Sequence, residues 1–271
     1  PDVQVVWFKC DLRVRDHAAL MAAVETGAPV LPLYVFEPSL LTHPHTSPRH
    51  VGLALDGITD LRESLTALGA PLVVRVGEVI DVLENLSTHV DLAAVHSYEE
   101  FGILATWERD KAVAAWCRAR GVRYREHRQS GAMRGLTSRD TWSQQRMKLF
   151  SQQLLEPPLA IRSTEVAPGP IPTLGDLGIA AEPMVYRQRG GETAGREVLR
   201  TWLNERVQGY ERHLSSPVTG WDGCSRLSVH LALGTVSARE VHTRVQAHKG
   251  EPGSPRFSLG AFEERIAWRD H

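Results

Sequence analysis

The chain has 271 residues, 42% hydrophobic and 23% charged, the proportions of an ordinary globular protein with room for two domains. Its 31 Lys and Arg against 32 Asp and Glu leave a net charge of −1, which excludes a global attraction to nucleic acid. Its three cysteines are far apart and odd in number, which excludes a disulfide framework and a metal-site spacing, and no apolar run approaches the roughly 20 residues of a membrane span. A reducing, cytoplasmic setting and a monomer without a membrane partner are expected.

Short β-branched runs recur in the first half: QVVWF at 4–8, VLPLYVF at 30–36, PLVVRV at 71–76, LAAVHS at 92–97 and VRYRE at 122–126. Each is apolar over most of its length, which predicts strands covered on both faces. Helical patterns lie between them. HAALMAAVETG runs to a glycine stop, and SPRHVGLALDGITDLRESLTALG carries Leu53, Leu55, Ile58, Leu61 and Leu65 at three- and four-residue steps. TWERDKAVAAWCRARG, 106–121, is expected to open on Thr106 as a cap and close on Gly121. Strand alternating with helix predicts a doubly wound, Rossmann-like parallel sheet over 1–130.

Ligands of such sheets gather at the carboxyl ends of the strands. There the first strand exits through Lys9, Asp11, Arg13 and Asp16, which either meet a phosphate or polar ring, or serve locally, Asp16 as a helix cap and Arg13 as an ion-pair donor. Neither a GxGxxG turn nor a Walker pattern follows. The absence of a GxSxG elbow speaks against a hydrolase, and His43, His45 and His50 lack the spacing of a metal site. From Cys117 to Lys148 nine basic residues face two acids, either a solvated face or a binding patch.

Residues 131–191 contain EPP, APGPIP and a GG pair and are expected to connect two domains. From 192 to 271 only helical signals remain: AGREVLRTWLNERVQGY, LSVHLALG, SAREVHTRVQAHKG and SLGAFEERIAWRDH. Within them, DGCSRLSVHLALGTVS places Arg226 between Ser225 and Ser228 at the start of an apolar helix. Helix amides, hydroxyls and a guanidinium together make an anion site. The alternative is plainer, with Ser225 as an N-cap and Arg226 in a structural ion pair.

Several of these stretches together resemble the cryptochrome/DNA photolyase family. VVWFKCDLRVRDHAAL is similar to its N-terminal signature, YERHLSSPVTGWDGCSRLSVHLALGTVSAR to the start of its flavin-binding domain, and FEERIAWRDH to its Trp-Arg-acid motif. YEEFG…TWERD and GGETAG fall in the same order between them. The resemblance implies an all-helical FAD-binding domain, incomplete here, in which Tyr210, Cys224, Ser225, Arg226, Leu227 and Ser228 hold the ribityl-phosphate part of FAD. It implies a catalytic, DNA-binding Trp268 stacked on a flipped-out pyrimidine dimer in damaged DNA, with Arg269 near the DNA backbone. On sequence alone Trp268 is also a candidate core residue beside Phe262 and Ile266.

An antenna chromophore, folate or deazaflavin, is a further implication. Some positions depart from the family pattern: Lys9-Cys10 stands where two arginines are common, and Cys224 where Thr is common. Thr106 stands where folate-holding members carry Glu, and Arg265 where dimer-repairing members carry Glu. Light-driven dimer repair by electron transfer from reduced flavin is the activity implied, a blue-light receptor without repair the alternative. The 271 residues are expected to be the leading part of a longer polypeptide and to hold FAD weakly by themselves.

Overall fold

The structure, a computed structural model, describes residues 2–135, 138–183 and 185–270. Five parallel strands form one sheet: β1 (Val3–Phe8), β2 (Val30–Phe36), β3 (Val73–Val76), β4 (Leu92–Tyr98) and β5 (Arg123–His127), in the order β3-β2-β1-β4-β5. Side chains alternate across β1, so Val6 and Phe8 enter one core and Val5 and Trp7 the other. On the first face pack α1 (Ala18–Val24) and α3 (Pro48–Ala67), the latter preceded by the short α2 (Pro38–Leu41). On the second face pack α4 (Val79–Ser87) and α5 (Leu104–Ala119). The doubly wound sheet is as expected, with three corrections. The helix α4 carries Val79, Val82, Leu83 and Leu86 inward, an amphipathic pattern that the strand-dominated reading passed over. Strand β5 is an edge strand with Arg123, Arg125 and Glu126 exposed, not one covered on both faces. And α5 starts two residues early, at Leu104 after Ile103, so Thr106 lies inside the first turn, where its hydroxyl donates to the Ile103 carbonyl at 2.9 Å.

Residues 131–191 contain α6 (Trp142–Phe150) and then run over the amino ends of the strands without periodicity. Arginine side chains hold that segment by its carbonyls. Arg62 donates to Gly169 at 2.8 Å, and Arg75 to Ala167 at 2.9 Å, while Ile161 enters the first core. Beyond it lie α7 (Glu192–Thr201), continued by one π-helical turn over Trp202–Arg206, then α8 (Tyr210–His213), α9 (Gly220–Gly223), α10 (Ser228–Ala232), α11 (Ala238–Lys249) and α12 (Arg256–Asp270). They share a third core of Leu199, Trp202, Leu227, Val241, Leu259 and Phe262.

The two parts meet at the exit of β1. Gly234 has φ +63°, and a Cβ there would collide with the Cys10 carbonyl and come within 2.6 Å of the Asp11 Cα, so only glycine allows this approach. The Leu12 amide donates to the Leu233 carbonyl at 3.1 Å, and Glu192 accepts from the Val14 amide at 2.8 Å.

Candidate functional site

The turn after β1 is internal rather than ligand-facing. Arg13, 1% exposed, donates to the carbonyls of Gly234 at 2.8 Å, Asp16 at 3.1 Å and Arg15 at 3.1 Å, and among the described residues it pairs with no acid. Asp16 does not cap α1. It sits at φ 51°, accepts from Ser237 Oγ at 2.7 Å and lies 3.5 Å from Arg239, while His17 caps α1 by accepting from the Leu20 amide. Both readings of these residues thus give way to one finding: they dock the helical part onto the sheet.

Between β1 and β4 the winding reverses direction, which creates the crevice where such sheets bind ligands. Here it is lined by charges that neutralise one another. Lys9 Nζ reaches Asp110 at 2.8 Å and Glu100 at 3.7 Å; Arg109 reaches Glu37 and Asp110 at 3.0 Å each; both cations lie 4.7 Å from the centroid of Trp7. Burial pulls the Arg109 pKa down, but Glu100, Glu37 and Asp110 outweigh it and hold the guanidinium charged. Burial, reinforced by Glu100 and Asp11, pushes the Cys10 thiol up to about 12. The adjoining cavity, lined by Cys10, Tyr34, Glu37, His50 and Arg109, measures about 250 Å³. Pockets that enclose ligands of drug size run to roughly 300–1,000 Å³. Both of its cations are committed to carboxylates, and Thr106 is bonded into its own helix turn.

The loop between α9 and α10 is different. Arg226 has a left-handed backbone, φ 62°, unusual for a residue with a side chain and costly unless neighbours enforce it. Two side chains do so. Arg206 Nη1 donates to the Cys224 carbonyl at 2.9 Å and Gln188 Nε2 to the Arg226 carbonyl at 2.9 Å. The Arg226 guanidinium lies 3.8 Å from the centroid of Trp221. Among the described residues neither Arg226 nor Arg206 takes part in an ion pair, so the structural ion-pair reading of Arg226 fails. Ser225 is not the helix cap either. Leu227 occupies that position without a side-chain cap bond, and Ser225 Oγ makes only a 3.4 Å contact with the Leu227 amide. With five residues, α10 adds little dipole, so any affinity for an anion rests on the two guanidinium groups and on the hydroxyls of Ser225 and the exposed Ser228. Burial raises the Cys224 pKa against the pull of Arg226 and Arg206. This donor set fits the phosphates of FAD.

The remaining expected residues divide. Tyr210 and Leu227 are buried in the third core, where the Tyr210 ring meets Trp202 and Phe262 edge-on at 5.6 and 5.5 Å. Burial raises the Tyr210 pKa. Trp268 is 64% exposed, whereas Phe262 and Ile266 are buried, so the core reading of Trp268 is overturned; the Arg265 guanidinium lies 4.1 Å from its ring centroid. Arg269 donates to the Leu231 carbonyl at 2.9 Å, and the buried Asp270 accepts from Arg146 Nε at 2.9 Å. Of the basic run over 117–148, three residues are taken up by acids: Arg120 pairs with Glu84, Arg134 with Glu126 and Arg146 with Asp270. Among the described residues no group of three or more His, Cys, Asp or Glu is placed to hold a metal ion, and no helix is long and apolar enough to cross a membrane. Arg206, Gln188 and Trp221 were not singled out by the sequence. Their only signal is long-range: polar or aromatic residues on separate segments that the fold brings to one loop.

The family model described as DNA photolyase matches residues 4–153. Over 98% of its length the chain is 30% identical to a cryptochrome DASH of Gloeobacter violaceus, of which it covers 57%. It is 29% identical over 99% of its length to a deoxyribodipyrimidine photo-lyase of Halobacterium salinarum, covering 60% of that protein. The solved structure of a Synechocystis cryptochrome superposes on all of the chain with a TM-score of 0.85 at 20% identity, and the chain covers 60% of it. The chain therefore spans somewhat more than half the length of the relatives it matches.

Proposed function

Since the chain belongs to the DNA photolyase family, we propose that it forms the α/β part and the first part of the FAD-binding domain of a flavoprotein that repairs pyrimidine dimers in DNA under blue light. The loop Cys224–Ser228 carries this reading, with a strained Arg226 held in place from both sides and, beside it, Arg206, neither guanidinium forming an ion pair among the described residues. Reduced FAD, when bound, supplies the excited electron that splits the dimer.

The chain's own part is to bind and to orient. Arg226 with the Ser225 and Ser228 hydroxyls holds the phosphate end of the cofactor. Leu227, the loop's own apolar residue, enters the third core together with Tyr210 and so fixes the loop's position there. Trp268 offers an exposed aromatic face on which a base extruded from the duplex stacks, the general solution when chemistry must reach inside the helix. Arg269, tied to the Leu231 carbonyl, is half exposed beside it and faces the DNA backbone in this reading. The three free cysteines suit a reducing compartment, and we read the protein as a cytoplasmic monomer.

One observation favours a second reading, a blue-light receptor that binds FAD without repair. Arg265, where the resemblance places a Glu in repairing members, lies over the ring of Trp268 on the side of α12 that would meet the lesion. Illumination of the full-length protein with a dimer-containing oligonucleotide separates the two. Restoration of intact pyrimidines supports repair, and flavin photoreduction without restoration supports the receptor.

A further inference from the structure

A π-helical turn inside an α-helix is rare and frequently marks a functional site. Here it spans Trp202–Arg206 at the end of α7. The extra residue lets the helix bury Trp202 and Leu203 while Arg206 reaches a loop 18 residues further on, where its Nη1 holds the Cys224 carbonyl. Its Nη2 has only a 3.5 Å contact with Thr201 Oγ1, so donors remain for another acceptor. Glu205 and Asp222, the two acids whose charges act on it, are exposed, and among the described residues they form no ion pair with it. Burial first, with the Arg226 charge, lowers the Arg206 pKa against the opposing pull of Glu205 and Asp222. Both guanidinium groups also act on the Cys224 thiol, which lies between them in chain order on the same loop. Arg206 thus binds the backbone of the loop that displays Arg226, and among the described residues neither guanidinium is taken up by an ion pair.

We infer that Arg206 is a positioning residue for the Cys224–Ser228 loop and the second cation of a cradle for a diphosphate, which would make the site selective for a dinucleotide flavin over a flavin monophosphate. The inference rests on the FAD reading above. A guanidinium fork matches phosphate oxygens bidentately. One such fork suffices for a monophosphate, whereas a diphosphate bridge brings two phosphates and their charges into a site that a single arginine leaves half neutralised. Arg206 also anchors the carbonyl from which the strained Arg226 is displayed, so its loss costs shape as well as charge.

The test uses the native protein stripped of flavin and titrated separately with FAD and FMN, read by flavin fluorescence, as wild type, Arg206→Lys and Arg206→Ala. Arg206→Ala is expected to weaken FAD roughly ten- to a hundredfold and FMN by clearly less, with Arg206→Lys recovering part of the FAD loss because the charge is kept. Unchanged FAD affinity in Arg206→Ala overturns the inference. So does an equal loss of FAD and FMN that Arg206→Lys fails to relieve, since that pattern belongs to packing alone. A wild type that takes up neither flavin removes the FAD reading itself, and is told apart because no variant comparison is then needed.

Discussion

Arg13 Nη1 donates to the carbonyl of Gly234 at 2.8 Å, joining residues 221 apart in the chain and fixing the exit of β1 to the turn after α10. The same guanidinium serves the carbonyls of Arg15 and Asp16, so one buried side chain satisfies acceptors from both parts of the molecule. Truncation to Arg13→Ala leaves those carbonyls without their charged donor. A loss of about 2–4 kcal/mol is expected, read from the urea unfolding midpoint. A loss below about 1 kcal/mol would show that the turn is not the dock.

Asp270 is the acid of the Trp-Arg-acid stretch, and its structural role is separate from that of its neighbours. Its carboxylate is buried against the Arg146 guanidinium on α6. Removing one partner of a buried pair strands the other, so Asp270→Ala is expected to cost about 3–5 kcal/mol, and the double variant Asp270→Leu/Arg146→Met clearly less. Equilibrium unfolding of the two variants checks this ordering.

His96 and His230 link stability to pH. Burial, with help from His127, Arg125 and Arg123, lowers the His96 pKa to about 4, and burial lowers that of His230 to about 4. Between about pH 4 and the ordinary value near 6.5, the unfolded chain binds protons that the folded one refuses. Stability contributed by each neutral histidine is therefore complete above about pH 6.5 and falls by about 1.4 kcal/mol per unit as the pH drops toward 4. His96 donates from Nε2 to Gln4 Oε1 at 3.1 Å, which leaves Nδ1 to accept from His127 Nε2 at 3.3 Å, a neutral arrangement throughout. Between about pH 6 and pH 5, unfolding free energies are expected to fall less steeply in His230→Gln than in the wild type, by about 1.4 kcal/mol per unit at most, with little difference in slope above pH 7. Equal slopes would show that His230 is not held neutral.

Trp268 is exposed and contributes little to the fold beyond the Arg265 contact, so Trp268→Ala is expected to change stability by no more than about 1 kcal/mol. If the exposed ring is the platform for an extruded base, the same variant of the full-length protein binds a dimer-containing oligonucleotide roughly ten- to a hundredfold more weakly, since stacking is worth about 1–3 kcal/mol per base. Fluorescence anisotropy with damaged and undamaged duplexes measures both numbers.

The alternation of strands and helices was legible because β1 to β4 are largely apolar runs and α3 carries apolar residues at three- and four-residue steps. The helical segment from Ser237 also read as written, and the structure adds that the Ser237 hydroxyl caps it by accepting from the Glu240 amide at 2.9 Å. Lys9, Asp11, Arg13 and Asp16 were ambiguous because charged residues at a strand exit look the same whether they meet a ligand or a distant segment of chain. For Lys9, Arg13 and Asp16 the deciding partners, Asp110, Gly234 and Ser237, lie more than a hundred residues away, whereas Asp11 is held locally by His17 at 2.8 Å. Arg206 was invisible for a related reason. A π turn leaves no composition signal, and its bond to Cys224 depends on how α9 and α10 fold back. The exposure of Trp268 is likewise a matter of helix rotation, which Phe262 and Ile266, four and eight residues along from Ser258, set by entering the core.

The central claim is that Cys224–Ser228 is the phosphate end of a flavin site, with Arg226 as its principal charge. The most direct test is the flavin-to-protein ratio of the native protein purified as wild type and as Arg226→Ala, with circular dichroism to confirm that both are folded. The account predicts a bound flavin in the wild type and an emptied site in Arg226→Ala, from the loss of a charge-assisted donor worth about 1.5–3 kcal/mol. A folded Arg226→Ala that keeps its full flavin content would contradict it.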